Sequence, residues 1–366
     1  MPAPQKSVVA LARFDLNQTQ VEHAHTQLKS VRDWTIWLNQ IETHGLSGFA
    51  NQHIRDHDLP VPKQIKMGLR ALTVRHKASA DARYQTLASI DAAFAERGLS
   101  YLGLKGVALA PLMFDNDAMR PMRDMDLLLP LADLDSAADA MRELGFHLPV
   151  EQDTKYQRDM HQLPNATKKV NGFTMSVELH KDGISREVPG HFYYPESASH
   201  LQQIQWRDFS FNALEDIRLT HQVSKHLEGL HAQALLKLIN VIDVVGLSMR
   251  VLQTDQWARL EQEYPHVINT LRCLHLYTPL PEQLQDKLAP LSEPAITGVG
   301  TIMGSMRERG TLKQRFRKLF LPSDWWMHLY YNVDPDKRLS WIKLVRHPFR
   351  MLNWLSRRLY SRALGG

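Results

Sequence analysis

The chain contains a single cysteine, Cys273, so neither an internal disulfide framework nor a cysteine-based zinc site can be built from it, and a reducing cytoplasm fits. It has no run of roughly 18 consecutive apolar residues, the length a membrane-crossing helix requires. Its opening, Met1-Pro2-Ala3-Pro4-Gln5-Lys6, lacks the apolar centre of a secretion signal. The expectation is a soluble, unprocessed cytoplasmic chain. Glycine-rich phosphate loops of the Walker and Rossmann types are missing, as is the Gly-x-Ser-x-Gly elbow of serine hydrolases. His221, His226 and His231 stand five apart, so they turn off a common helix face and offer no zinc pair of the His-Glu-x-x-His kind.

What is present is a chain of 366 residues, 43% hydrophobic, enough to bury a core and fold as two or three units. The net charge of +5 is unevenly placed. Residues 301–366 carry 14 Lys and Arg against 4 Asp and Glu, whereas the first 300 carry 30 against 35. Positive charge is therefore a property of the tail. There Arg307, Arg309, Lys313, Arg315, Arg317 and Lys318 precede Trp325-Trp326. Trp341, Leu344, Val345, Pro348, Leu352, Leu355 and Leu359 then trace an apolar stripe. Three readings stay open for this segment: a helix packed on the body, a basic amphipathic surface for an anionic membrane, or a grip on an RNA backbone. Pro348 is expected to kink a continuous helix.

The pattern along the chain is helical at both ends. Val31, Trp34, Trp37, Leu38 and Ile41 recur at helical spacing before Gly45, and a second long helix is expected from about Lys63 to near Gly98, after the break at Leu59-Pro60-Val61-Pro62. Tyr101–Leu104 and Asp124–Leu129 read as strands, with a helix from Gly106 between them. Leu131 to Leu144 reads as a helix stopped by Gly145, and Phe146–Val150 as extended. Gly172 to His180 alternates cleanly, with Glu178 and His180 on its polar face. From about Ser210 the chain is expected to turn helical, with Leu214–Leu227 and Ala234–Leu247 as two helices. Strands interleaved with helices predict an α/β or α+β core of about a hundred residues.

The chemistry is concentrated in Leu104-Lys105-Gly106, Arg120-Pro121-Met122-Arg123-Asp124-Met125-Asp126 and Glu178. On a strand, Asp124 and Asp126 share one face. Like charges held side by side repel, so the pair makes most sense with a cation, and hard oxygen ligands suit Mg²⁺. Glu178 adds a third carboxylate from a second strand. Lys105-Gly106 forms a strand-to-helix turn whose free N–H groups and dipole favour an anion. Three carboxylates and an anion-binding turn meet the needs of two-metal phosphoryl or nucleotidyl transfer. Other readings remain beside this one. Lys105 either contacts phosphate or neutralises the acids. Arg120 and Arg123 either hold phosphate oxygens or pair with Asp115, Asp117 or the metal acids. His180 either assists the site or is structural. Asp243, between Ile242 and Val244, is expected to be a buried carboxylate paired with an Arg or Lys of the core.

These motifs, with Gly145-Phe146 and Val177-Glu178-Leu179-His180, resemble the bacterial uncharacterised nucleotidyltransferase family of the DNA-polymerase-β-like superfamily. A weaker match follows in His226, Lys237 and Asp243, and the resemblance spans roughly residues 25 to 250. It implies an α+β fold, with a mixed sheet, flanking helices and helical regions at both ends. It implies Asp124, Asp126 and Glu178 as metal-binding and catalytic, with Asp126 bridging two Mg²⁺ (Mn²⁺ as the alternative) and Glu178 near the acceptor hydroxyl. Lys105, Gly106, Arg120 and Arg123 are implied to bind nucleotide. The superfamily's usual Gly-Ser is replaced here by Lys105-Gly106, and its commoner third Asp by Glu178.

The expected organisation is an N-terminal helical region at 1–98, a nucleotidyltransferase core at 99–208, a helical domain at 209–300 and a basic amphipathic tail at 301–366. The expected reaction moves a nucleoside monophosphate from an NTP (ATP among them) to a sugar, peptide or protein hydroxyl, releasing pyrophosphate. Two alternatives stand beside it: a tRNA- or RNA-directed transferase, and a non-catalytic nucleotide-binding or membrane-surface adaptor. The expected location is cytoplasmic, with the tail as a peripheral contact to the inner face of the membrane.

Overall fold

Helix caps set the frame at the start of the chain. Asn17 and Gln20 form a reciprocal capping box that opens α2 (Gln18–Lys29), which follows the short α1 (Lys6–Ala10). Asp33 accepts hydrogen bonds from the backbone N–H groups of Thr35 and Ile36 at the start of α3 (Trp34–Thr43). The expected stop at Gly45 is present, with a left-handed φ of 74°. A further helix that the sequence reading did not separate, α4 (Ser47–Asp56), comes before the Pro60–Pro62 break. The long α5 (Lys63–Glu96) runs to Gly98 as expected, burying Leu69, Leu87, Ile90 and Phe94. The computed structural model describes residues 5–149, 161–184, 191–194, 200–229, 237–291, 316 and 319–363. The expected extended segment Phe146–Val150 contributes an isolated bridge at His147, and its last residue lies outside the described ones.

Six strands form one mixed sheet in the order β3-β4-β2-β1-β6-β5. They are β1 (Leu102–Leu104), β2 (Met125–Leu128), β3 (Ala166–Val170), β4 (Phe173–His180), β5 (Leu201–Trp206) and β6 (Phe209–Leu214). β1 runs antiparallel to β2 and parallel to β6, and β2 runs parallel to β4. The fold is α+β, as expected. Helix α6 (Lys105–Met113) follows β1 directly, and α7 (Leu134–Glu143) follows β2 and ends before Gly145, at φ 81°. Asn171 and Gly172 join β3 to β4 with positive φ at both positions, the two-residue turn whose twist matches its flanking strands.

One correction concerns the stretch from about Ser210. Phe209–Leu214 is a sheet strand beside β1, not the start of a helical region, so the sheet continues past the expected boundary at 208. Its burial alternates, with Phe211 and Ala213 inward, and period two is the strand signature. Helices α8 (Asp216–Gly229), α9 (Leu238–Gln253) and α10 (Trp257–Glu263) come next.

The chain divides into two compact units, one of residues 5–227 with 237–263, which holds the sheet, and one of 264–366 with 228–236 and the first four residues. In the second, α11 (Pro265–Tyr277), α12 (Glu282–Leu288), α13 (Asp324–Tyr331) and α14 (His347–Ala363) bury Leu271, Leu274, Trp326 and Met327. The Trp325 indole N–H donates to the Cys273 carbonyl at 2.6 Å, and the buried His347 ring bridges the Tyr331 hydroxyl and the Leu319 carbonyl, each at 2.8 Å. A π turn (Ile342–Arg346) leads into α14. Helical backbone runs without a break from Ser340 through this π turn into α14, so Pro348 lies inside a helix, and the π turn just before it is where the hydrogen-bond ladder changes to accommodate the missing N–H. Among the described residues no helix is long and apolar enough to cross a membrane.

Candidate active site

Three neighbouring strands set the site through their register. Leu104 pairs with Asp126 across β1–β2, and Asp126 pairs with Glu178 across β2–β4. Lys105, the residue after Leu104, is thereby delivered to the same level of the sheet as both acids. His180 lies two positions beyond Glu178, hence on the same face. Donor atoms of Asp126, Glu178 and His180 fall within 4.8 Å of one another.

The contacts inside this group are short. Lys105 Nζ lies 2.6 Å from Asp126 Oδ1, and His180 Nε2 lies 2.9 Å from the same oxygen and 3.4 Å from Glu178 Oε2. Asp126 and His180 are buried, with side chains 4% and 1% exposed. Glu178 is supported on its other side by Asn165, whose Nδ2 donates to Oε1 at 2.9 Å and also reaches Ser176 Oγ.

Electrostatics follow from that packing. Burial opposes the Asp126 charge, yet Lys105 and His180 hold this carboxyl well below the ordinary carboxylate range. Burial opposes the Glu178 charge as well, but the hydrogen bond from His180 and the charges of His180 and Lys105 together lower this carboxyl. His180 is raised by its two carboxylate partners against a large desolvation cost, and Lys105 is raised by Asp126, Glu178 and Asp124 in the same way. Nearby His161 and His226 are pushed down by burial, to about 4 and about 3.

The remaining expected residues take varied places. Asp124 does not share the strand with Asp126. The strand begins at Met125, and Asp124 flanks its end, outside the three-residue donor group. Burial and the charges of Asp126 and Glu178 raise its carboxyl, so it stands within their field. Arg120 is engaged by Asp243 through two hydrogen bonds of 3.0 and 2.7 Å, both side chains being buried. That gives Asp243 the partner its apolar neighbours called for. Arg123 is exposed. Gly106 is buried beneath Arg120 and Met122, where an added Cβ would come within 2.5 Å of Arg120 Nη1 and 2.6 Å of Met122 sulfur. The loop carrying these residues is fastened to α5 by Arg83, which donates to the Met122 carbonyl.

Whether a divalent cation fits can be judged from the donors. His180 Nδ1 faces the Asp182 carbonyl at 3.4 Å, which leaves Nε2 aimed at two carboxylates. With the Nδ1 proton directed at that carbonyl, an imidazole lone pair facing two anions requires a proton or a metal cation between them. Two carboxylates and one imidazole can hold Mg²⁺ or Mn²⁺, so the residues fit such an ion.

His180 was open between assisting the site and a structural role, and it carried a visible signal, since it shares the alternating face of Glu178. Asn165 was not among the expected site residues, and it carried a signal only through the turn. With Asn171-Gly172 as the hairpin turn, the pairing of Ala166 with Val177 sets Asn165 opposite Glu178.

A family model described as uncharacterised nucleotidyltransferase matches residues 30–284. No curated protein matches the chain. Among solved structures, the solution structure of the antibiotic-resistance factor ANT(2'')-Ia is 13% identical, with 53% of this chain and 97% of that one covered at a TM-score of 0.34. A crystal structure of ANT(2'')-Ia in complex with adenylyl-2''-tobramycin is also 13% identical, covering 50% of this chain and 98% of that one at a TM-score of 0.33.

Proposed function

The chain belongs to the uncharacterised nucleotidyltransferase family, and on that premise we propose that it transfers a nucleoside monophosphate from an NTP to an acceptor hydroxyl at the Asp126–Glu178–His180 group. The observation that carries this reading is the convergence of those three donors from adjacent strands beside the α6 turn. In the reaction the acceptor oxygen bonds to the α-phosphorus, the bond from that phosphorus to the bridging oxygen breaks, and the electron pair leaves with pyrophosphate.

Asp126, Glu178 and His180 would hold a divalent ion, Mg²⁺ or Mn²⁺, with Asp124 at its margin. When bound, such an ion supplies positive charge against the triphosphate and draws the acceptor oxygen and phosphate together. Glu178 is kept ionised by His180 and oriented by Asn165, so it can accept the acceptor's proton. The first N–H groups of α6, which begins at Lys105-Gly106, can hold phosphate as helix N-termini do, and exposed Arg123 adds a guanidinium for phosphate oxygens. Arg120 acts from behind, holding the Gly106 turn through its pair with Asp243.

The family resemblance favours a sugar, peptide or protein hydroxyl as acceptor. The test is incubation of the purified protein with each of the four α-labelled NTPs and a cell extract, alongside Asp126→Asn. A labelled product formed by the wild type alone, with pyrophosphate release, is expected. Equal labelling by the variant overturns the reading. Product formation that collapses with rising salt would mark RNA as the acceptor.

A further inference from the structure

Lys105 is fixed against Asp126 by more than its charge. Its backbone takes a φ of 45°, a left-handed conformation that few residues other than glycine adopt. Such a conformation persists where the surroundings enforce it. Here they do: Gly106 is wedged under Arg120 and Met122, and Arg120 is clamped by Asp243. The ammonium therefore arrives 2.6 Å from Asp126 Oδ1, on a side chain 18% exposed.

The family resemblance implies that Asp126 would lie between two cations, which would clamp the attacking and leaving oxygens. Asp126 has the central position here, but one of its sides is taken by an ammonium. The donor group beyond it, Asp126, Glu178 and His180, amounts to one ion's worth of ligands, and Asp124 is not part of it. We propose that Lys105 stands in for the second divalent ion: the site binds one metal ion, and the Lys105 ammonium is the permanent second positive charge on Asp126. A lysine ammonium is a compact point charge with three donors, so it can neutralise Asp126 and also hydrogen-bond a phosphate oxygen. The inference rests on the nucleotidyl-transfer reading above.

Manganese electron paramagnetic resonance tests it without any turnover. Wild type, Lys105→Met and Lys105→Arg are each loaded with Mn²⁺ and, in turn, the four α,β-methylene nucleoside triphosphates. Two ions in one site sit about 3.5–4 Å apart and couple magnetically. The expected spectra are an isolated ion in wild type and Lys105→Arg, and a coupled pair in Lys105→Met. A coupled pair in wild type overturns the proposal while leaving the transferase reading intact, and that spectrum decides the matter even if Lys105→Met fails to fold. Isolated ions in wild type and a folded Lys105→Met also overturn it, since Lys105 would then not be what excludes the second ion. Absence of any Mn²⁺ binding removes both readings.

A separate observation concerns the second unit. Of twelve large apolar side chains exposed among the described residues, seven lie between 316 and 352. Trp341, Leu344, Val345, Phe349 and Leu352 recur at helical spacing, the first, second and fourth being 69%, 78% and 73% exposed. Ile342, His347 and Met351 of the same segment are buried, so the helix is already anchored through another face. Exposed Lys337, Arg338 and Arg346 accompany the stripe, in the stretch where basic residues outnumber acidic ones by 14 to 4.

From the union of an outward aromatic and aliphatic face with this excess charge, we infer that residues 341–352 dock on an anionic phospholipid surface. The full chain is sedimented with phosphatidylglycerol-containing vesicles or with neutral phosphatidylcholine vesicles. Binding is expected to the anionic vesicles only, and to fall about tenfold or more in the exposed double variant Leu344→Glu/Phe349→Glu. Sedimentation with neither vesicle, an unchanged double variant, or retention of tRNA in place of vesicles overturns the inference.

Discussion

Asp126 and Glu178 are register partners on adjacent parallel strands, and one imidazole, that of His180, reaches both carboxylates. The site is thus a property of strand pairing, and its charges cannot be changed singly without consequence for their neighbours.

Asp126→Asn is expected to lower transfer by at least about a hundredfold, on the scale of losing one preorganised electrostatic group. The variant should keep its far-UV circular dichroism but melt at a lower temperature, because Lys105 and His180 lose their shared counter-charge. Undiminished turnover would contradict the assignment.

Arg120→Leu should destabilise the chain by about 3–5 kcal/mol, because it leaves the Asp243 carboxylate buried without its partner. The double variant Arg120→Leu/Asp243→Leu should recover much of that loss. Urea denaturation of both variants and of Asp243→Leu completes the cycle, and additive losses would show that the two residues act independently.

Gly106→Ala should cost about 1–3 kcal/mol by overpacking, since the new methyl meets Arg120 and Met122. If the turn also cradles phosphate, KM for the NTP should rise in the same variant. A stability loss without any change in KM would confine Gly106 to packing.

The pH dependence of the metal-free chain has two limbs of opposite sign. His180 is raised in the folded state, so its contribution is complete below its unfolded value of about 6.5 and is lost as pH rises through the raised value. His226 is lowered to about 3, so its burial favours the folded state above about 6.5, and that contribution is lost as pH falls from there toward about 3. His180→Gln should flatten the alkaline limb and His226→Gln the acid one in melts recorded across pH. Because a metal must displace the His180 proton, Mn²⁺ affinity should rise over the window in which His180 deprotonates. Pre-treatment with a chelator should remove any Mn²⁺-dependent rise in Tm.

Much of the site was readable because its strands are short, apolar and punctuated. Leu102–Leu104 ends at Lys105-Gly106, Met125–Leu128 ends before Pro130, and Phe173–His180 alternates without a break. Glycines at 45, 98 and 145 marked helix ends by the left-handed backbone they allow. The hairpin of β5 and β6 was hidden because its turn, at Arg207-Asp208, contains no glycine and Arg207 takes a positive φ itself. Asp124 could not be placed by alternation alone, since strand pairing stops one residue after it. Arg120 and Asp243 are 123 positions apart in sequence, and only tertiary packing reveals their pairing.

The Asn171-Gly172 turn reaches further than its size suggests. It decides which side chain of the edge strand meets Glu178, because a hairpin's counting is set at its tip. A single inserted residue there would swing Asn165 to the opposite surface while every acid stayed where it is. The length of that turn therefore governs whether Asn165 meets the Glu178 carboxylate at all.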